Sequence, residues 1–199
     1  MVTLKLFSQV GLCALGLALL VAPARANLVT NGSFSTGDLT GWTETDGSYG
    51  ATFAVGPVAL TSFGATYAAE EQNGNCCASI VQQLTTVVGD TYTLTFWLQT
   101  TNIYGLGSTT MPAWGGVGLG SINLAVNSPW TEETITGLTA TSTTTDLSFV
   151  IQSHSETTYL SGIDVEDTTA PEPSTWGMLL SALAGLTLLG KRARAAHQR

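Results

Sequence analysis

Between Thr91 and Leu98 the chain alternates strictly, with Tyr92, Leu94, Phe96 and Leu98 on one side and Thr91, Thr93, Thr95 and Trp97 on the other. A period of two buries one face of a β-strand, so this segment is predicted as a strand whose inner face is Tyr92, Leu94 and Phe96. Ile80 to Val88 reads as the preceding strand, with Gly89-Asp90 as the turn between them. Ser121 to Val126 sets Ile122, Leu124 and Val126 on one face, and Asp146 to Gln152 does the same with Leu147, Phe149 and Ile151. A closing strand runs from Thr158 to Val165, where Gly162 interrupts the pattern as a bulge or a close approach. Thr101 to Ser121 is glycine-rich, lacks such a period and reads as a long connection. Short alternating strands separated by Gly, Asn, Asp and Thr turns predict an all-β fold, an antiparallel sandwich.

The two ends of the chain follow a different rule. Lys5 precedes an apolar run from Val10 to Ala22 and then Ala24-Arg25-Ala26. That order marks a secretory signal peptide with Ala24 and Ala26 at the cleavage site, so residues 1–26 are predicted to be removed and Asn27 to lead the mature chain. At the other end, Pro171-Glu172-Pro173 is followed by an apolar stretch, Trp176 to Gly190, and by the basic cluster Lys191, Arg192 and Arg194. Such a segment spans a bilayer better than it fills a core. At about 1.5 Å per residue it is a short span, helped by snorkelling of Lys191 and Arg192. The positive-inside rule then puts the basic tail in the cytoplasm and residues 27–170 outside.

In order and composition this tail resembles the PEP-CTERM sorting signal of exported bacterial proteins. The resemblance implies an exosortase-type processing enzyme as a partner, cutting near Pro171 to Pro173. It also implies anchoring in the inner membrane first and release to the cell surface or beyond afterwards. The predicted organisation is 1–26 signal peptide, 27–167 β-sandwich, 168–175 linker, 176–190 transmembrane helix and 191–199 basic cytoplasmic tail.

Charge sharpens the reading of the exported part. All six Lys and Arg lie in the targeting segments, while 27–170 holds thirteen Asp and Glu and a single histidine, His154. A domain without Lys or Arg has nothing with which to neutralise phosphates, which excludes electrostatic binding of nucleic acid or anionic lipid. The acids are scattered rather than set at ligand spacing, and they read as a solubilising surface. Cys76 and Cys77 are adjacent, so they cannot staple distant parts of the fold. They lack the further ligands of a zinc site and the Cys-x-x-Cys spacing of a redox pair.

A second resemblance is carried by Asn27-Leu28-Val29-Thr30-Asn31-Gly32-Ser33-Phe34, by Gly37-Asp38 and Gly41-Trp42, and by Val81-Gln82-Gln83-Leu84 and Tyr159-Leu160. These look like the opening, middle and closing strands of galactose-binding-like jelly rolls. Trp42 is then expected as a core plug. Such domains hold structural calcium with an acid in the first strand and another in the last. Here Ser35, Ser161 and Gly162 stand at those places, and no metal ligand and no cofactor is expected.

Catalysis finds no support in the pattern. His154 has no triad signature around it. In Glu70-Glu71 and Glu132-Glu133, neighbours on a strand point to opposite faces. No catalytic residue is assigned. Aromatic residues in loops or on the outer face, Trp97, Tyr104 and Trp114, are the expected carbohydrate contacts, since ring planes stack on the C–H faces of sugars. The reading is a non-catalytic surface or matrix module that interacts with exopolysaccharide or another glycan. The alternatives are a purely structural acidic envelope or biofilm protein, or a secreted hydrolase.

Overall fold

The structure is a computed structural model that describes residues 26–48, 50–72, 77–101, 107–153 and 157–169. Eleven strands occur in it: β1 (Thr43–Thr45), β2 (Thr52–Pro57), β3 (Tyr67–Gln72), β4 (Ala78–Thr85), β5 (Thr91–Thr101), β6 (Ser108–Trp114), β7 (Val117–Gly118), β8 (Ile122–Leu124), β9 (Thr131–Thr139), β10 (Thr144–Gln152) and β11 (Thr157–Asp167). They form two antiparallel sheets, a jelly-roll sandwich. One sheet runs β1-β4-β10-β6-β7 with β8 also on β6, and the other runs β2-β3-β11-β5-β9.

The core lies between the sheets and is built by the predicted alternation. Tyr92, Leu94, Phe96, Leu147, Phe149 and Ile151 are all buried, none more than 1 % exposed. Phe96 of one sheet meets Phe149 of the other edge to face at 5.0 Å, the favoured geometry of aromatic pairs. Trp42 fills the space beside them, 5.9 Å from Phe34 and 6.2 Å from Phe149.

The opening motif holds the start of the chain to the closing strand. Asn27 Oδ1 accepts from the amides of Val29 and Val165, and its Nδ2 donates to the Ile163 carbonyl. Gln82 reaches from β4 to satisfy both the N–H and the C=O of Thr30. The Gly32 carbonyl accepts from the Ile163 amide, and a Cβ on Gly32 would overlap the Ile163 oxygen. That close approach is why a glycine stands there.

Several segments differ from the sequence expectation. The 101–121 connection contains β6 and β7. No apolar alternation marks β6, because its inward positions are Ser108, Thr110, Pro112 and Trp114, and an interior proline argues against a strand. Pro112 is tolerated because its carbonyl accepts from Leu119; its backbone polar groups therefore face away from β10, and the missing N–H removes no bond to that neighbour. The strand predicted to Val88 stops at Thr85, with Val87 and Val88 exposed ahead of the Gly89 turn. The one predicted to Val126 stops at Leu124. Gly162 does interrupt β11: the register against β5 shifts between Ser161 and Asp164, and Gly162 has φ 61°.

Ala24, Pro171, Glu172, Pro173, Lys191, Arg192 and Arg194 lie outside the described residues, and so do Cys76, Tyr104 and His154. The expected signal cleavage, sorting motif, membrane helix and basic tail fall there as well. Ala26 is exposed. Cys77 is disulfide-bonded, and the other two cysteines of the chain, Cys13 and Cys76, are both outside the described residues. Among the described residues no helix is long and apolar enough to cross a membrane.

Candidate functional site

The five-stranded sheet turns one face to the core and leaves the other without a covering sheet. On that outer face β5 presents Thr93, Thr95, Trp97, Gln99 and Thr101, and β11 presents Tyr159 opposite Gln99. The segment between β2 and β3 folds back onto this face at Trp97. It is fixed by Val58 N–H to Thr66 O at 2.9 Å, Thr61 N–H to Ala65 O at 3.0 Å, and a Thr61 hydroxyl that bonds both backbone groups of Ala65. This closed loop lays Phe63 flat on Trp97, with centroids 4.5 Å apart and planes 13° from parallel. Gly162 makes room for the stack: a Cβ there would stand 3.0 Å from Trp97 and 3.1 Å from Phe63.

Trp130 enters from the turn before β9. Thr100 positions that turn, its hydroxyl donating to the Ala125 carbonyl at 2.7 Å and accepting from the Ser128 amide at 3.2 Å. The Trp130 ring meets the edge of Phe63 at 5.4 Å and lies 6.3 Å from Tyr159. Together, Trp130, Tyr159, Gln99, Thr101 and the 57–62 segment enclose an open groove of about 420 Å³. Leu60 stands on its rim, 75 % exposed. Half-buried rings, an amide and a hydroxyl converge there, which is the make-up of a small-molecule or oligosaccharide groove.

Carboxylates flank the rings on both sides. Glu70 is the register partner of Tyr159, and Glu132 that of Trp97. Gln72 Nε2 donates to Glu70 Oε2 at 2.7 Å. Its other oxygen lies over Gly56, where a Cβ would overlap it. Glu71, the next residue, points into the sandwich and is fully buried. Ser153 hydrogen-bonds its Oε2, while its Oε1 has no partner among the described residues. Burial pushes the Glu71 carboxyl up to about 7, partly opposed by the Ser153 hydrogen bond. Asp164 is also raised, first by burial and then by the charge of Glu166, whereas hydrogen bonds from Thr40 and Thr36 hold Asp38 below the usual carboxylate range.

The three expected contact residues have separate fates. Trp97 belongs to this face, but one of its planes is taken by Phe63. Trp114 is 5 % exposed inside the sandwich, 5.4 Å from Tyr92, with its indole N–H donating to the Thr139 carbonyl at 3.1 Å. Tyr104 lies outside the described residues. Trp130 and Tyr159 are the rings that line the groove instead, with Phe63 packed behind Trp130. For Tyr159 the sequence did carry a signal, an aromatic residue on the polar side of an alternating strand. Among the described residues no group of three or more His, Cys, Asp or Glu side chains could hold a metal ion. Ser35 is exposed, and Ser161 donates its hydroxyl to the Tyr67 carbonyl. Glu70 with Glu71 and Glu132 with Glu133 take opposite sides of their strands, so neither pair can act on one substrate bond.

No protein-family model matches this sequence, and no curated protein does. Solved structures share its fold. TmCBM61 in complex with β-1,4-galactotriose superposes with a TM-score of 0.54 at 14 % identity, over 71 % of this chain and 99 % of that one. The CBM22-1 xylan-binding domain of Paenibacillus barcinonensis Xyn10C gives 0.51 at 15 %, over 76 % and 100 %. The enzymatically active domain of tailspike protein 4 from bacteriophage CBA120 gives 0.55 at 14 %, over 71 % of this chain but 21 % of that chain. At these identities the likeness is one of fold.

Proposed function

We propose that this chain is a non-catalytic, carbohydrate-binding module of the cell surface or extracellular matrix, and that it holds a glycan in the groove beside Trp130 and Tyr159. One observation carries the reading: half-buried aromatic planes sit next to Gln99 and Thr101 on the outer face of the five-stranded sheet, beside the loop between β2 and β3. Rings supply stacking area for the C–H faces of sugars, and the amide and hydroxyl supply hydrogen bonds to their hydroxyls. The jelly-roll likeness to a galactotriose-bound module and to a xylan-binding domain supports it. Export and sorting rest on the sequence of the two ends, read as a signal peptide and an exosortase-type signal, with exopolysaccharide as the associated glycan.

A glycan array probed with residues 27–169, which contain both sheets and their core, tests the reading. Binding is expected, and Trp130→Ala and Tyr159→Ala are each expected to abolish it. A silent array, or hits that both variants retain, would favour an acidic structural protein. The processing proposal has its own check in mass spectrometry of the mature protein, which should begin at Asn27 and lack Lys191 to Arg199; an intact C-terminus on the surface form would refute it.

A further inference from the structure

We propose that the groove selects a glycan bearing free amino groups, of the glucosamine type, over neutral and acidic glycans, with Glu70 as the counter-charge to its ammonium. This rests on the carbohydrate reading above and names the ligand class for the same site.

Glu70 is seated rather than free. Its register partner on β11 is Tyr159, on the same sheet face, and its carboxylate lies over Gly56, the chain neighbour of Pro57 in the groove wall. Gln72 holds one carboxylate oxygen at 2.7 Å, and the other occupies the space that any side chain at position 56 would fill. Gly56 has no unusual backbone angle that demands glycine; its lack of a side chain is what admits the carboxylate. A charge held this way keeps its acceptor capacity without spending side-chain entropy on binding.

No permanent cation stands in the sequence around it, the one histidine, His154, lying outside the described residues. Residues 26–169 contain no Lys and no Arg, so neither Glu70 nor Glu132, beside Trp97, can be neutralised by one. A uronate, sulfate or phosphate brought into the groove would meet these two charges unscreened by any partner, and like charges brought together are rejected. An ammonium group at the same place gains an opposite charge from Glu70, and the faces of Tyr159 and Trp130 attract cations through their ring quadrupoles. Neutral sugars gain the stacking and the hydrogen bonds of Gln99 and Thr101, without the charge pairing.

The test is calorimetric titration of residues 27–169 with four probes at slightly acid pH, where the sugar amines are protonated: a glucosamine hexamer, its fully N-acetylated counterpart, xylohexaose and a hexamer of galacturonate. Pentalysine serves as the control for general attraction between a polycation and an acidic protein. The glucosamine hexamer is expected to bind about tenfold or more tighter than the acetylated and neutral hexamers, and the uronate not at all. Raising salt from about 50 mM to about 500 mM should erase most of that advantage. Glu70→Gln should bring the glucosamine hexamer down to the affinity of the neutral hexamers, and Tyr159→Ala should abolish binding of all of them. Equal binding of neutral and amino hexamers would overturn the proposal and leave the carbohydrate reading standing. So would an amino-sugar preference that survives Glu70→Gln, or pentalysine binding as tightly as the glucosamine hexamer. Failure of every glycan to bind would overturn both.

Discussion

The two faces of the five-stranded sheet are made by the same strands and meet opposite fates. On the inner face Leu94, Phe96 and Leu98 are wholly buried against the second sheet. On the outer face, one residue along in each case, Thr95, Trp97 and Gln99 have no second sheet over them; a nine-residue loop, 58–66, lays Phe63 on Trp97 and borders Gln99. A face with a sheet for a partner is packed to completion. A face with a loop for a partner keeps half-buried rings at the loop's edge, and it is there that a ligand can supply the missing contacts. Glu70 and Glu71 put the contrast into adjacent residues: one carboxylate on the outer face, the other sealed in the sandwich with a raised pKa.

The largest expected effect lies on the inner face. Phe96→Ala removes a fully buried ring that packs on Phe149, and should cost about 3–5 kcal/mol in urea denaturation. If it costs less than Tyr159→Ala, the two faces have been assigned the wrong way round. Next comes Gly162→Leu, which places a side chain on a residue with φ 61° and drives it into the Phe63–Trp97 stack. Strain and overpacking together should cost about 2–4 kcal/mol, and indole fluorescence should report the displaced stack.

Glu71 gives an effect that depends on pH. Its pKa is raised from 4.5 to about 7 on folding, so between those values the folded state binds more protons than the unfolded one, and stability falls as pH rises through the window. Below about 4.5 the group is neutral in both states and contributes nothing. Above about 7 it carries the full penalty, about 1–3 kcal/mol. Glu71→Gln should therefore match the wild type in acid and exceed it near pH 8, with the gap opening between the two pKa values. A gap independent of pH would show that the carboxyl is not buried as described. The smallest expected change in stability is that of Tyr159→Ala, within about 1 kcal/mol because the ring is half-exposed, although it should abolish glycan binding.

The inner face was legible in the sequence because burial imposes a period, and Tyr92 through Leu98 and Leu147 through Ile151 display it without interruption. β6 was not, since its inward positions are Ser108, Thr110, Pro112 and Trp114. β9 was hidden for another reason: the register shift opposite Tyr92 and Leu94 breaks its period between Ile135 and Leu138. The groove depends on which loop lies over which strand, and no local pattern encodes that. Trp97 and Trp114 are indistinguishable as exposed or buried aromatics until β6 is known to be a strand with Trp114 on its inner side. Phe63, which decides how much of Trp97 is open, is 34 positions away in the chain.

The central claim, that the outer face binds a sugar and the inner face does not respond, can be read from the four indole N–H signals of residues 27–169 in a ¹⁵N NMR titration. Trp42 and Trp114 are buried in the core, while Trp97 and Trp130 belong to the outer face. With a glycan selected from the array, the Trp130 signal is predicted to move most and that of Trp97 less, while Trp42 and Trp114 stay in place. Shifts confined to Trp42 or Trp114, or binding that leaves Trp130 unmoved, would contradict the account.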